Sequence, residues 1–342
     1  MAGSDAGLWA LCLSIGLLPV LTFLIGLVLL DSYKLIKFRT VVLAVLAGGG
    51  VALLCLVINT YLPSRLGMQF TAYSRYVAPG LEELLKGSVI AVAVWRRRIG
   101  FLIDAAIWGF AIGAGFAAVE NIQYFRILAE PEIAVWLIRG FGTAIMHGSV
   151  TAILAIIFLH LSERFESVLP HLFLPGWMLA AGLHSFFNHF YLSPSLTTAG
   201  LLVGMPALFA LVFQIGEKGT QDWLGDSFDS DQDLLNAIKD GQVSGTRVGR
   251  YLAALKARFS GTEVADMLCL IRLQLELSIK AKGILMMQKA GFSPPRDPET
   301  ASRFQELSFL EGSIGRTGRR ALAPIFSMSH RELWQLHMLR SK

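Results

Sequence analysis

The sequence predicts an all-α, polytopic membrane protein of about seven transmembrane helices with a C-terminal helical cytosolic domain. Apolar residues make up 54% of the 342 residues and charged residues only 16%, and long apolar runs exceed the roughly 20 residues that cross a bilayer. After about residue 216 the charge density rises and apolar residues recur at helical spacing. We therefore predict a membrane domain over 1–216 and a cytosolic domain over 217–342.

Seven apolar segments account for the predicted membrane domain. The first has an apolar run too long for a signal peptide, and no Lys or Arg precedes it, so we expect it to stay in the membrane. The segments cover about 8–30, 40–62, 76–95, 101–125, 139–161, 172–192 and 198–216.

The basic residues of the short loops predict the orientation of these segments. The second and fourth loops hold only Arg65, Arg75 and Arg126, whereas most loop Lys and Arg lie in the first, third and fifth loops. We therefore expect a multi-pass protein of the cell membrane with its N-terminus outside and its C-terminus in the cytosol.

Four of the predicted spans carry ionisable or strongly polar residues. Such residues are costly in hydrocarbon and normally face a polar cavity or a partner, so they indicate function. Counted along spans of alternating direction, all four groups fall in the outer third of the bilayer. We interpret them as one site, which consists of Glu82, Glu83 and Lys86, then Glu120, then His147, then His184 and Asn188.

The residues around these groups are consistent with a buried site. Pro79 is suited to the first turn of the third span, and Lys86 lies one helical turn beyond the paired glutamates. Gly109, Gly113 and Gly115 predict that a neighbouring helix approaches the fourth span closely. Asn59 and Thr143 are candidates to line the cavity, whereas we expect Arg139 to extend to the outer interface.

The same residues resemble the motif set of the PrsW intramembrane proteases, distant relatives of the CAAX prenyl endopeptidases. Four motifs occur in order on successive spans and cover about residues 70–195. The last one has Asn188 where the family often has Asp. The motifs are Glu82-Glu83-Leu84-Leu85-Lys86, Phe116-Ala117-Ala118-Val119-Glu120-Asn121, His147, and His184-Ser185-Phe186-Phe187-Asn188.

This resemblance implies an intramembrane endopeptidase that acts on a membrane-anchored protein near the outer face of the bilayer. Peptide hydrolysis needs a base for water and hydrogen bonds for the oxyanion, and either Glu82 or Glu83 can be the base. The relatives imply that His184 and Asn188 donate to the oxyanion. Glu120 stands where those relatives have a histidine, so the water-orienting role falls to His147; Lys86, Phe116 and Asn121 support the site.

Three alternatives stay open. His147, His184 and Glu120 are a plausible zinc set, although the relatives favour a glutamate protease without a metal cofactor and the sequence has no His-Glu-x-x-His motif. An ion- or proton-coupled transporter would also use buried Glu, Lys and His, but no inverted repeat is evident. A membrane scaffold with a polar binding pocket is the third alternative.

The tail after residue 217 predicts a helical cytosolic domain whose longest helix covers about 262–290. Ser230 with Asp233, and Ser329 with Glu332, have the spacing of helix-capping boxes. No motif for nucleotide, metal or nucleic acid is present, so we expect partners to be the lipid bilayer, the membrane-anchored substrate and, for the tail, a protein.

Overall fold

The structure, a computed structural model, describes residues 2–128, 130, 132–293, 297–324 and 330–340. These residues form helices and, within the described ranges, no strand. The chain divides into two compact units, Met1–Glu217 and Lys218–Lys342.

Helices α1 to α8 and the first part of α9 form the first unit. A π-helical stretch, Ile138–Thr143, joins α6 to α7, so that these elements form one continuous helical segment. The bounds are α1 Ala2–Leu29, α2 Phe38–Arg65, α3 Phe70–Tyr76, α4 Ala78–Trp95, α5 Leu102–Ile127, α6 Ile133–Leu137, α7 Ala144–Arg164, α8 Pro170–His189 and α9 Pro194–Lys239.

Among the described residues, five helical segments are long and apolar enough to cross a membrane, which makes this a multi-pass membrane protein. All seven predicted spans overlap a helix of the structure, but α4 and α8 are not among these five. Both carry polar residues of the predicted site: α4 contains Glu82, Glu83 and Lys86, and α8 contains His184 and Asn188. A count of exactly seven spans therefore stays a prediction.

Helices α5 and α7 form the centre of the first unit. In the most apolar 18 residues of α5 and of the segment that contains α7, 83% and 72% of the residues are buried, against 28% or less in the corresponding residues of the other three segments. Their backbones touch because glycine faces the contact: a Cβ atom on Gly113 would lie 2.2 Å from the carbonyl oxygen of His147. On another face of α5, a Cβ atom on Gly115 would lie 1.9 Å from the carbonyl oxygen of Val45 in α2. The predicted close approach is confirmed.

The described part of the second unit contains the end of α9, a short 3-10 helix at Val243–Gly245 and five further α-helices. Ser260 and Glu263 form a capping box at the start of α11, with Ser260 Oγ accepting from the Glu263 amide at 3.2 Å. The capping box predicted at Ser230 is wrong, because Ser230 lies inside α9; Ser329 lies outside the described residues. The bounds are α10 Arg247–Leu255, α11 Gly261–Lys289, α12 Glu299–Ser313, α13 Gly315–Leu322 and α14 His330–Arg340.

Candidate active site

The first turns of α4 carry the two adjacent glutamates and Lys86, and Glu83 is the more completely paired carboxylate. Lys86 Nζ bonds to Glu83 Oε1. His184 Nδ1 lies 2.9 Å from the same oxygen, and Thr151 Oγ1 donates to Oε2 at 3.1 Å. Glu83 and Lys86 are fully buried. Three partners from three helices therefore satisfy both oxygens of Glu83.

Glu82 has a different environment. Its Oε1 accepts a hydrogen bond from Asn59 Nδ2 at 3.0 Å. Its Oε2 lies 3.9 Å from His184 Nε2, which is too far for a direct hydrogen bond but close enough for one water molecule to bridge the two atoms. Glu82 can therefore offer one oxygen to a reacting molecule, whereas Glu83 cannot without losing a partner.

His147 connects α4 to α5. Its Nδ1 lies 3.1 Å from Lys86 Nζ and its Nε2 lies 2.8 Å from Glu120 Oε2. An ammonium group only donates and an ionised carboxylate only accepts, so these contacts assign a neutral ring with its proton on Nε2. The His147 ring contacts Phe116 at 4.9 Å between centroids and meets His184 edge to face at 4.7 Å.

Arg139 is a site residue whose position was predicted wrongly. It is buried rather than extended to an interface, and its Nε donates to Asn121 Oδ1 at 2.9 Å. Its guanidinium lies 3.4 Å from Glu120 Oε1 and stacks on the Tyr124 ring at 3.5 Å. Because Glu120 offers a compensating charge on the facing helix, Arg139 is stabilised inside the protein. The sequence contained a signal that could have predicted this pair, because Arg139 lies in an apolar span at the same depth as Glu120.

Asn188 lies on the same face of α8 as His184 but has a backbone partner. Its Nδ2 donates to the carbonyl oxygen of Ser74 at 3.0 Å. One turn earlier, Ser185 Oγ donates to the carbonyl oxygen of Arg75 at 2.6 Å. Asn188 therefore connects α8 to α3 through this hydrogen bond, and its amide group is directed to the backbone rather than to Glu82 or Glu83.

Three side chains of the cluster could hold a metal ion. One ligand atom from each of Glu82, His147 and His184 lies within 4.8 Å of the others. This set differs from the one predicted, in which Glu120 took the place of Glu82. Two imidazoles and a carboxylate suit zinc, and a carboxylate behind each ring, Glu83 for His184 and Glu120 for His147, is the usual support for such ligands. The residues present thus fit a zinc ion in donor type.

Three glutamates, a lysine and two histidines thus form one cluster within the first unit, as a buried active site requires. The model of a family described as "PrsW family intramembrane metalloprotease" matches residues 37–215. The chain belongs to the PrsW family. The matched range contains every residue of the predicted site, from Glu82 to Asn188, so the sequence resemblance is confirmed. No curated protein and no solved structure matches the chain.

Membership of the PrsW family makes this chain an intramembrane protease, and a transporter is not favoured. The family is described as one of metalloproteases, which makes a metal ion in the Glu82, His147 and His184 group plausible. Because an intramembrane protease acts within the bilayer, the substrate of this chain is a membrane-anchored protein.

Proposed function

We propose that this PrsW-family protein is a glutamate-type intramembrane endopeptidase in which Glu82 activates the attacking water. The observation that supports this role most directly is the difference between the two glutamates. Glu83 has both oxygens engaged, whereas Glu82 keeps one oxygen 3.9 Å from His184 Nε2. A water molecule that bridges these two atoms would be held by the Glu82 carboxylate, which takes its proton, and by the His184 imidazole, which orients it.

Glu83 and Lys86 have a supporting role in this proposal. Glu83 accepts from His184 Nδ1 and so leaves Nε2 of that ring directed to the water. Lys86 balances the charge of Glu83 and also donates to His147, which in turn donates to Glu120. His147 then links two charged groups instead of orienting the water, so the orienting role passes to His184.

Proton transfer completes the reaction. Glu82 takes a proton from water as the oxygen attacks the peptide carbonyl, and the protonated carboxyl then donates that proton to the leaving nitrogen. A role for Asn188 as an oxyanion donor stays a prediction, since it requires the amide to release the carbonyl of Ser74. The loop charges support an orientation with the N-terminus outside and the C-terminal unit in the cytosol. In that orientation, the depth of the site residues along their spans supports cleavage near the outer face.

A metal-dependent reaction is the second candidate, and the Glu82, His147 and His184 group supports it. These three residues would hold a zinc ion, which would supply Lewis-acid activation of water and of the peptide carbonyl. We rank it second because Lys86 Nζ lies 3.1 Å from Nδ1 of His147. With Nε2 directed to Glu120, Nδ1 is the nitrogen that would bind the ion, and a neighbouring ammonium group opposes a cation there.

Paired substitutions test the role of Glu82. Glu82→Gln keeps the size of the side chain and an oxygen for Asn59, so the protein should keep its thermal stability while proteolysis falls by at least about 100-fold. Glu83→Gln removes the charge that balances buried Lys86 and should lower thermal stability as well. Glu132→Gln, at an exposed site outside the cluster, is the matched control. Near-normal cleavage by Glu82→Gln would overturn the proposal.

Chelation and elemental analysis separate the two chemistries. The glutamate-type proposal expects full activity after exhaustive chelation and no stoichiometric zinc in active protein. About one zinc per chain, lost from both His184→Ala and Glu82→Gln proteins, together with activity that zinc restores to the chelated enzyme, would reverse the ranking.

A further inference from the structure

Two hydrogen bonds in series connect helix α3 to Glu82. Tyr73 Oη, on α3, donates to Asn59 Oδ1 at 2.7 Å, and Asn59 Nδ2, on α2, donates to Glu82 Oε1 at 3.0 Å. Tyr73 is fully buried. Side chains of three helices that are consecutive in the chain are thus connected through Asn59 to one oxygen of the proposed base.

The donors and acceptors of these two hydrogen bonds follow from an ionised Glu82, which the proposed role as base requires. An ionised carboxylate only accepts, so the amide nitrogen of Asn59 must face Glu82 and the amide oxygen must face Tyr73. The Tyr73 hydroxyl therefore has to donate. The hydroxyl sets the orientation of the Asn59 amide, and the amide determines which oxygen of Glu82 is engaged.

Helix α8 fixes the position of Tyr73. The hydrogen bonds from Ser185 and Asn188 end on the carbonyl oxygens of Arg75 and Ser74, immediately after Tyr73 in the chain. Helix α3 has only seven residues, and an isolated helix of that length is not stable by itself. These side chains therefore hold α3 against α8, the helix that also carries His184.

We propose that Asn59 and Tyr73 are positioning residues for Glu82: they hold Oε1 so that Oε2 faces His184 Nε2 across the space for the attacking water. This proposal rests on the role of Glu82 proposed above. Without the hydrogen bond from Asn59, the carboxyl group can rotate about its terminal bond, which is a soft torsion. The oxygen that faces His184 is then no longer fixed before the reaction begins.

The expected effect is on turnover rather than on substrate binding. Asn59→Leu keeps the branched shape and the number of heavy atoms of the side chain but removes the donor to a charged oxygen, so kcat should fall about 10- to 100-fold with KM little changed. Tyr73→Phe keeps the ring and removes only the hydroxyl, so kcat should fall about 5- to 10-fold. Tyr61→Phe is the matched control, because Tyr61 lies on α2 and is exposed; its kcat should equal that of the unchanged protein.

A double-mutant cycle provides the test. Purified variants are reconstituted with one labelled single-span substrate, and kcat, KM and thermal stability are measured for Asn59→Leu, Tyr73→Phe and the double variant. If Tyr73 acts through Asn59, Tyr73→Phe has no further effect on kcat once Asn59 is Leu. A merely structural role would lower stability and kcat together and would not produce this non-additive effect on kcat.

Three outcomes overturn the proposal: unchanged kcat in Asn59→Leu, equal effects of Tyr73→Phe with and without Asn59, or an increase in KM in place of the loss in kcat. The Glu82→Gln variant, measured in the same series, keeps the two proposals apart. If it abolishes turnover while the cycle fails, only the positioning role is wrong. If it cleaves normally, the role of Glu82 itself is wrong.

Discussion

Replacement of Lys86 by Met removes the ammonium group that lies between Glu83 and His147. Both Lys86 and Glu83 are fully buried, so water cannot take over the lost contact. Removing one partner of a buried ion pair costs about 3–5 kcal/mol, because the other charge stays buried and uncompensated. In a unit of about 200 residues each kcal/mol lowers Tm by about 2–4 °C, so Lys86→Met should lower Tm by about 6–20 °C.

Thermal unfolding of purified protein in detergent measures this change. The double variant Lys86→Met with Glu83→Gln should recover most of the loss, because no charge is then left unpaired. Lys34→Met, at an exposed loop position, removes the same charged group and should shift Tm by about 1 °C or less. A Tm of Lys86→Met equal to that of the unchanged protein, or a double variant as unstable as the sum of the single ones, would refute the ion-pair argument.

The remaining predictions concern packing and pH. Gly113→Ala would place a Cβ atom 2.2 Å from the carbonyl oxygen of His147 and should cost about 1–3 kcal/mol with a loss of activity. The exposed helical Gly50→Ala, with nothing within 4 Å of its Cβ atom, should gain about 0.5–1 kcal/mol in the same unfolding assay. Burial raises the pKa of Asp31, in the loop after α1, to about 6. The folded state thus binds the proton more tightly than the unfolded chain, and stability should fall by about 1–2 kcal/mol from pH 5 to 8. Asp31→Asn should remove this dependence; an unchanged pH profile of Tm would contradict the assignment.

Much of the helical framework could be predicted from hydrophobicity alone. Each predicted span overlaps a helix, because a bilayer requires long apolar segments whose backbone groups bond internally. Helix α3, Phe70–Tyr76, was not predicted, because its seven residues lie almost entirely in the predicted loop before the third span and are too few to cross a bilayer. The division between units near Glu217 also follows the change in composition.

Within the site, residue types on the spans were predictable but their pairing was not. Polar groups at one depth indicated that Glu82, Glu120, His147 and His184 would meet. Which oxygen or nitrogen each would face depends on the rotation of every helix, which sequence spacing does not give.

Arg139 shows the limit of reading one span at a time. A Lys or Arg near a predicted span end is usually taken to extend to the interface. The partner that stabilises it in the interior, Glu120, lies on another helix. Tyr73 and Thr151 were missed for a similar reason, because each bonds to a residue far away in the chain or on another helix.

The measurement that tests the central claim most directly is proteolysis in a defined membrane. Purified protein and a single-span membrane-anchored substrate are reconstituted together, and the products are identified by mass spectrometry. The account predicts that the unchanged protein and Glu132→Gln cleave the substrate, whereas stably folded Glu82→Gln cleaves it at least about 100-fold more slowly. Equal cleavage by Glu82→Gln and the unchanged protein would contradict the account.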